Sequence, residues 1–458
     1  MMRRKGTFGR DLHQRSGTLD VLSRHRLYAL SIALLLLWLS GIVQYLLTAV
    51  LLRFGYFGIA VERVSFPTKF ESYRHVAEAR HPVILTNNVA NQWRARKLWT
   101  PAYLSRVVKH GSVHSQKFNP VFKTFHDNRS LESLITERWA DYNTKSKKSI
   151  AQVLKTASDT YHYYSEEINT VMKSYPDALD DIQPLSELVL TPEDVQINVW
   201  IGRPGIVTHT HYDATYNFFV QLRGRKRFTL FPPSSEMYLY PCLHPHYGHT
   251  QVNVYNWNRT LYPNFDRSKA MIADLRAGDM LFVPPFWYHH VETMAESVSV
   301  NVWSIAEELT IMDEIYKKAV PFEETWDVAT MISACRVYFQ MIAEEIQVFF
   351  EAVWKSVAEQ RYRPLVESSQ LHVPYLLDKD MRAICKEMDV PSLTARWEEK
   401  FSRGVQNVAP HFLQITDFAV RSRSVRSLCL GNYMEHIVAS VLPTDHIAPF
   451  FLNCLVKR

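Results

Sequence analysis

Val195–Phe231 reads VQINVWIGRPGIVTHTHYDATYNFFVQLRGRKRFTLF, and its texture decides the fold. Short runs in which apolar and polar residues alternate, QINVWIG, NFFVQL and KRFTLF, are broken at Arg203-Pro-Gly205, Arg223-Gly-Arg225 and Phe231-Pro-Pro233. Period-two alternation bounded by Gly and Pro marks strands with one buried face. The pattern resumes downstream as DMLFVP and SVSVNVW, with a break at Ala277-Gly-Asp279. Many short strands at this spacing predict a closed β architecture, a jelly roll or a barrel.

Outward from this stretch the pattern changes on both sides. Residues 54–195 mix short apolar runs with helical spacing: Pro82–Leu85 (PVIL) reads as a strand and Ser149–Ala157 as a helix. From residue 305 to 458 the spacing is helical, notably over Met331–Trp354. The basic run Arg421–Arg426 reads as a solvated face. Near the N-terminus, the stretch from Leu27 to Leu52 carries no charge. At about 1.5 Å per residue it is long enough to cross a hydrocarbon core of about 30 Å. The basic residues Arg3, Arg4, Lys5, Arg10, Arg15, Arg24 and Arg26 precede it. Positive-inside bias then predicts a cytoplasmic tail over 1–26, a transmembrane anchor over 27–53 and a single-pass type II protein with its catalytic part lumenal or extracellular. The sequons at Asn128 and Asn258 agree with that orientation. The expected division is thus 1–26, 27–53, 54–195, 196–304 and 305–458.

Composition narrows the function. A net charge of +6 over 458 residues is mild, and no nucleic-acid partner is expected from it. The five cysteines lack a C-x-x-C spacing, which argues against a structural zinc site. What remains is His211-Tyr-Asp213 inside the β region, with His289 and His290 downstream. In an extended strand residues i and i+2 share a face, so His211 and Asp213 could aim at one metal. A third ligand from a neighbouring strand would complete the two-His-one-carboxylate set of non-haem Fe(II) oxygenases. The cluster Cys242, His244, His246 and His249 reads as a loop rather than a second metal site.

The motif neighbourhood carries a resemblance. His211-Tyr-Asp213 is followed by NFFVQLRGRKRFTLFPP, and His289 is preceded by LRAGDMLFVPPFWY. Upstream stand Pro82–Leu85, Trp93 and Trp99–Leu104. In these motifs residues 62–303 resemble the JmjC family, and within it the branch of the asparaginyl hydroxylase that inhibits the hypoxia-inducible factor. The resemblance implies a double-stranded β-helix (cupin) core with an α/β N-terminal elaboration. It implies iron held by His211, Asp213 and His289, with His290 facing away. Lys226 matches the residue that binds the far carboxylate of 2-oxoglutarate, and Thr208 a hydroxyl sharing it. Asn217 and Asn301 match amides of the cosubstrate site, and Trp303 its wall. Tyr164 is the expected further hydroxyl, with Tyr161 and Tyr163 as rivals. No catalytic residue beyond the metal ligands is implied. Fe(II), 2-oxoglutarate and O2 follow as cofactors and cosubstrates, with hydroxylation of a protein side chain coupled to formation of succinate and CO2. Methyl-lysine demethylation and a non-catalytic binding module are the alternatives. The C-terminal helices stand where the family's dimerising helices stand, which leaves a homodimer as a candidate.

Overall fold

The computed structural model describes residues 58–109, 111–117, 121–122, 145–154, 160–368, 385, 390–417 and 423–454. The described strands begin with β1 (Gly58–Ala60), β2 (Arg63–Ser65), β3 (Val83–Thr86), β4 (Gly111–Lys117), β5 (Val121–Phe122), β6 (Lys145–Lys148) and β7 (Thr160–Glu167). The stretch that opened the sequence reading gives β8 (Val195–Gly202), β9 (Val207–His211), β10 (Thr215–Arg223) and β11 (Arg225–Phe231). Its downstream counterpart gives β12 (Ala270–Arg276), β13 (Met280–Val283), β14 (Tyr288–Thr293) and β15 (Ser297–Ile305). They form two sheets, ordered β1-β12-β11-β14-β9-β5 and β2-β3-β13-β10-β15-β8-β7-β4-β6. This is a jelly roll.

Alternation sorts the side chains into two cores. Phe218, Val220 and Leu222 of β10 and Val298, Val300 and Val302 of β15 point away from the facing sheet. There they join Trp93, Trp99 and Leu104 of the N-terminal elaboration. Phe219 of β10, Phe228 and Leu230 of β11, Leu281 of β13 and Val291 of β14 point between the sheets and fill part of that space. Because both faces are covered, β10 is buried at nearly every position, which explains its near-continuous apolar sequence. The β10–β11 hairpin turns on Gly224, at φ +75°, where an added Cβ would lie 2.1 Å from the carbonyl oxygen of Glu296. Only glycine fits such a position without strain.

The helical region after β15 packs on residues that face out of the jelly roll, among them Tyr212, Phe231, Phe286 and Tyr288. The single helix suggested by Met331–Trp354 is two, Val328–Glu345 and Phe350–Lys355, because Gln347 adopts φ +57° and ends the first. Arg426, assigned above to a solvated face, is buried instead: its Nη1 donates to the Ile346 carbonyl at 2.5 Å. It thereby caps the C-terminal end of the Val328–Glu345 helix. Cys385 and Cys454 are joined by a disulfide. The buried apolar residues described in these helices pack within the chain, and among the described residues nothing supports a homodimer through them.

One expectation is corrected outright. Among the described residues no helix is long and apolar enough to cross a membrane. Residues 27–53, and the sequon at Asn128, lie outside the described residues. The described fold is therefore a mixed β-sheet jelly roll with C-terminal helices, and no described helix supports a membrane anchor. The membrane partner and the type II placement are withdrawn with it. An uncharged run long enough to span a bilayer is a necessary condition for an anchor, not a sufficient one.

Candidate metal centre

The site is built where β9 and β14 pair. His211 stands opposite His289 in the antiparallel ladder, and Thr208 opposite Val291. Three residues of β9 thus span the distance covered by two of β14, which is a β-bulge. The bulge reverses the alternation of β9, so Thr208 and His211, three residues apart, both line the same cavity. Asp213 follows just beyond the strand end. Its carboxylate oxygens lie 4.0 Å from His211 Nε2 and 3.5 Å from His289 Nε2. Each of the three residues offers one donor atom, and these atoms all fall within 4.8 Å of one another.

Both histidines are turned for ligation by their own backbone. His211 Nδ1 donates to the His209 carbonyl at 2.8 Å, and His289 Nδ1 donates to the Trp287 carbonyl at 3.0 Å. A proton fixed on Nδ1 leaves a lone pair on Nε2, the atom facing Asp213. His290 points the other way, towards Thr210 and the ring of Tyr255. Burial, with His209 and His289 beside it, pushes its pKa down to about 3.

Lys226 enters the same cavity from β11 and is 1% exposed. Its Nζ donates to the Tyr163 hydroxyl at 3.1 Å and lies over the rings of Tyr163 and Phe219. Among the described residues no carboxylate pairs with it, and desolvation lowers its pKa to about 7. Tyr163 also shares a hydrogen bond with Thr208. Asn217, Asn301 and Trp303 complete the lining. Asn217 Oδ1, Asn301 Nδ2 and Trp303 Nε1 are buried and make no hydrogen bond, although Asn301 Oδ1 accepts from Trp200 Nε1 at 2.6 Å. Buried polar atoms are seldom left so, and a group of them around one cavity points to a bound partner.

Of the residues singled out in the sequence, Thr208, His211, Asp213, Asn217, Lys226, His289, Asn301 and Trp303 come together here. Tyr164 does not. It packs into the outer core beside Gly111, and its neighbour Tyr163 takes the cavity position. Adjacent residues of a strand face opposite ways, so one must be outside. Sequence reasoning read His249 only as a loop residue and missed Trp200: the His249 ring stacks on His211 at 5.4 Å and 13°, and Trp200 anchors Asn301. His249 belongs to the loop cluster noted above. Among the described residues that cluster forms no metal-capable group, and the one such group is His211, Asp213 and His289.

Two imidazoles and one carboxylate converging from one side can hold a divalent ion and leave its other positions open to ligands. The unpaired ammonium and the orphaned amide and indole groups suit an anionic, oxygen-rich ligand reaching from such an ion to Lys226. The residues present therefore fit an iron centre with a dicarboxylate bound beside it.

Known proteins are similar to this chain over the same region. A family model described as a cupin-like domain matches residues 67–305, more than half of the chain. Human HSPB1-associated protein 1 is 28% identical over 278 residues, 57% of this chain and 55% of its own length. Lysine-specific demethylase JMJ30 of Arabidopsis thaliana is 27% identical over 230 residues, 48% of this chain and 49% of its own. The tRNA wybutosine-synthesizing protein 5 of Mus musculus is 36% identical over 105 residues, 22% of this chain and 32% of its own. The chain spans about half, or less, of the length of these relatives. JmjC members of the family are typically Fe(II)- and 2-oxoglutarate-dependent oxygenases. By its matched residues, its motifs and its fold, the chain belongs to the cupin-like family, on the JmjC side of it.

Proposed function

We propose that the chain is an Fe(II)- and 2-oxoglutarate-dependent dioxygenase that hydroxylates a protein side chain. The observation that carries this reading is Lys226, a buried cation with no carboxylate partner among the described residues, sharing one cavity with His211, Asp213 and His289. In this reading those three residues hold the iron. Lys226 grips the far carboxylate of 2-oxoglutarate, with the hydroxyls of Thr208 and Tyr163 beside it. Asn217 and Asn301 turn their free amide atoms to the cosubstrate, and Trp303 closes the wall. Iron with 2-oxoglutarate, when bound, supplies O2 activation, so that the cosubstrate leaves as succinate and CO2 and one oxygen atom enters the substrate.

The chain's own contribution is orientation and exclusion of water. Phe219, Phe228 and Val291 make the surroundings of Lys226 apolar. In such surroundings a charge-assisted hydrogen bond is stronger than in water. Residues 54–195 and 196–304 would form the catalytic unit and 305–458 its support. A protein or peptide substrate is supported by the motif likeness to the asparaginyl-hydroxylase branch. A second reading, demethylation of methyl-lysine, is favoured by the relative named as a lysine-specific demethylase.

The deciding experiment incubates the purified chain with Fe(II), 2-oxoglutarate and a protein extract, and follows succinate, formaldehyde and peptide mass together. Peptides heavier by one oxygen, with succinate and without formaldehyde, are the expected result. Formaldehyde released from methylated peptides would transfer the assignment to demethylation. Absence of succinate under every condition would leave a binding module.

A further inference from the structure

Among the described residues the helices after residue 305 contribute no side chain to the cavity, yet they reach the residue that stands between two of the candidate ligands. Tyr212 separates His211 from Asp213 and points away from the cavity into the helical core. Its hydroxyl accepts a hydrogen bond from Asn432 Nδ2 at 3.0 Å. Asn432 lies on the Arg423–Val441 helix, and both partners are buried, at 4% and 9% exposure. The Tyr212 ring is held edge-on against Tyr288 at 5.0 Å and tilted against Phe286 at 5.5 Å.

Asp213 is the candidate ligand that most needs such help. His211 is the last residue of β9 and is fixed by its ladder with His289, whereas Asp213 lies in the short turn before β10. Backbone hydrogen bonds anchor that turn as well, among them one from Ala306 N to the Ala214 carbonyl at 3.4 Å. Tyr212 N donates to the Gly248 carbonyl at 2.8 Å, and Phe286 N donates to the Asp213 carbonyl at 2.9 Å. The Gly248 anchor itself leads back to the helices. The loop that carries Gly248 and His249 is tied down by Gln251, whose Nε2 donates to the Arg361 carbonyl at 2.7 Å. Arg361 lies in a π-helical turn, Ser356–Tyr362, an irregularity that frees carbonyls from the regular helical ladder.

We propose that the C-terminal helices set the register of the metal centre through the Asn432–Tyr212 hydrogen bond, which makes Asn432 a positioning residue for metal binding. The proposal rests on the metal-site reading of His211, Asp213 and His289. It places a determinant of the centre more than a hundred residues beyond the segment that matches the cupin-like family.

The test titrates the 458-residue chain with Co(II), followed by its visible spectrum, alongside thermal unfolding. Asn432→Leu and Tyr212→Phe are each expected to weaken Co(II) binding about tenfold, the lower end of what loss of a ligand's supporting partner brings. The double variant should be no weaker than the worse single, because both changes delete one bond. Tyr338→Phe removes a buried hydroxyl that lies 3.4 Å from Tyr433 in the same helical region and does not touch Tyr212. It serves as the control for general destabilisation and should bind Co(II) as the unaltered chain does. Variants that melt earlier but bind Co(II) with unchanged affinity and spectrum would overturn the proposal, as would additive losses in the double variant. Should Asn432→Leu fail to fold, Tyr212→Phe decides the question alone, by the same two readouts. Asp213→Ala separates the two levels: if it binds Co(II) as tightly as the unaltered chain, the metal-site reading itself is wrong.

Discussion

Two cations are buried to the same depth in this protein and are treated in opposite ways. Arg361 and Lys226 are each 1% exposed. Arg361 is met by Glu435 and, at 3.0 Å, by Glu236, and their charges hold its guanidinium above its ordinary pKa despite desolvation. Lys226 has a phenol, two aromatic faces and a cavity, and desolvation drives its pKa down to about 7. Burial penalises both charges alike, and the difference lies in what was placed beside them. A cation that serves the fold is neutralised within the fold. A cation left at the end of a cavity, near orphaned amides, is balanced only when an anion arrives from outside.

The comparison breaks most easily at the other end of the cavity. Asp213→Ala should abolish iron binding and reduce succinate formation to background while the thermal midpoint barely moves, since Asp213 stands outside the apolar cores. His289→Ala should match it and His290→Ala should not. Next, the two cations should part company. Arg361→Met leaves the buried Glu435 and the half-buried Glu236 without their shared partner and should lower unfolding free energy by about 3–5 kcal/mol in denaturant titration. Lys226→Met should leave stability unchanged or raised, yet weaken 2-oxoglutarate binding about ten- to a hundredfold, the worth of hydrogen bonds to a charged group.

The lowered pKa of Lys226 gives a pH dependence whose sign is fixed. Above about 7 the free protein holds Lys226 neutral, so an incoming dicarboxylate must bring a proton with it. Affinity for 2-oxoglutarate should therefore fall as pH rises above about 7, with proton uptake in calorimetry, and Lys226→Met should remove that slope. The same shift enters folding: between about 7 and 10.5 the unfolded chain binds the extra proton, so this residue's contribution to stability rises with pH across that window. The smallest contrast is between neighbours. Tyr163→Phe should cost 2-oxoglutarate binding about 1 kcal/mol, a single hydrogen bond, and Tyr164→Phe should leave it unchanged.

How much of this was legible depends on which rule governed each residue. The motif resemblance, not periodicity, marked Lys226, Asn217, Asn301 and His289; alternation added that His290 faces away, because β14 is regular there against β11. Alternation failed where regularity fails. Thr208 came from the resemblance and not from alternation: it faces the cavity only because a bulge separates it from His211, and a bulge leaves no mark in the pattern VTHTH. The choice of Tyr163 over Tyr164 depends on how β7 meets β8, a long-range pairing that two consecutive tyrosines cannot report. The break at Gln347 and the burial of Arg426 are one event, a helix end capped from another helix, and local composition misread both. The run at 27–53 was read from its length, its lack of charge and its basic flank, and no described helix supports a membrane span.

The most direct test is an anaerobic titration of the iron-loaded chain with 2-oxoglutarate, followed by the visible charge-transfer absorption of a chelated 2-oxo acid. The account predicts a band that saturates at one 2-oxoglutarate per iron. It should be absent in Asp213→Ala and reached in Lys226→Met only at about ten- to a hundredfold higher concentration. An iron-loaded chain that gives no such band, or a Lys226→Met variant that titrates like the unaltered protein, would contradict the assignment of this cavity.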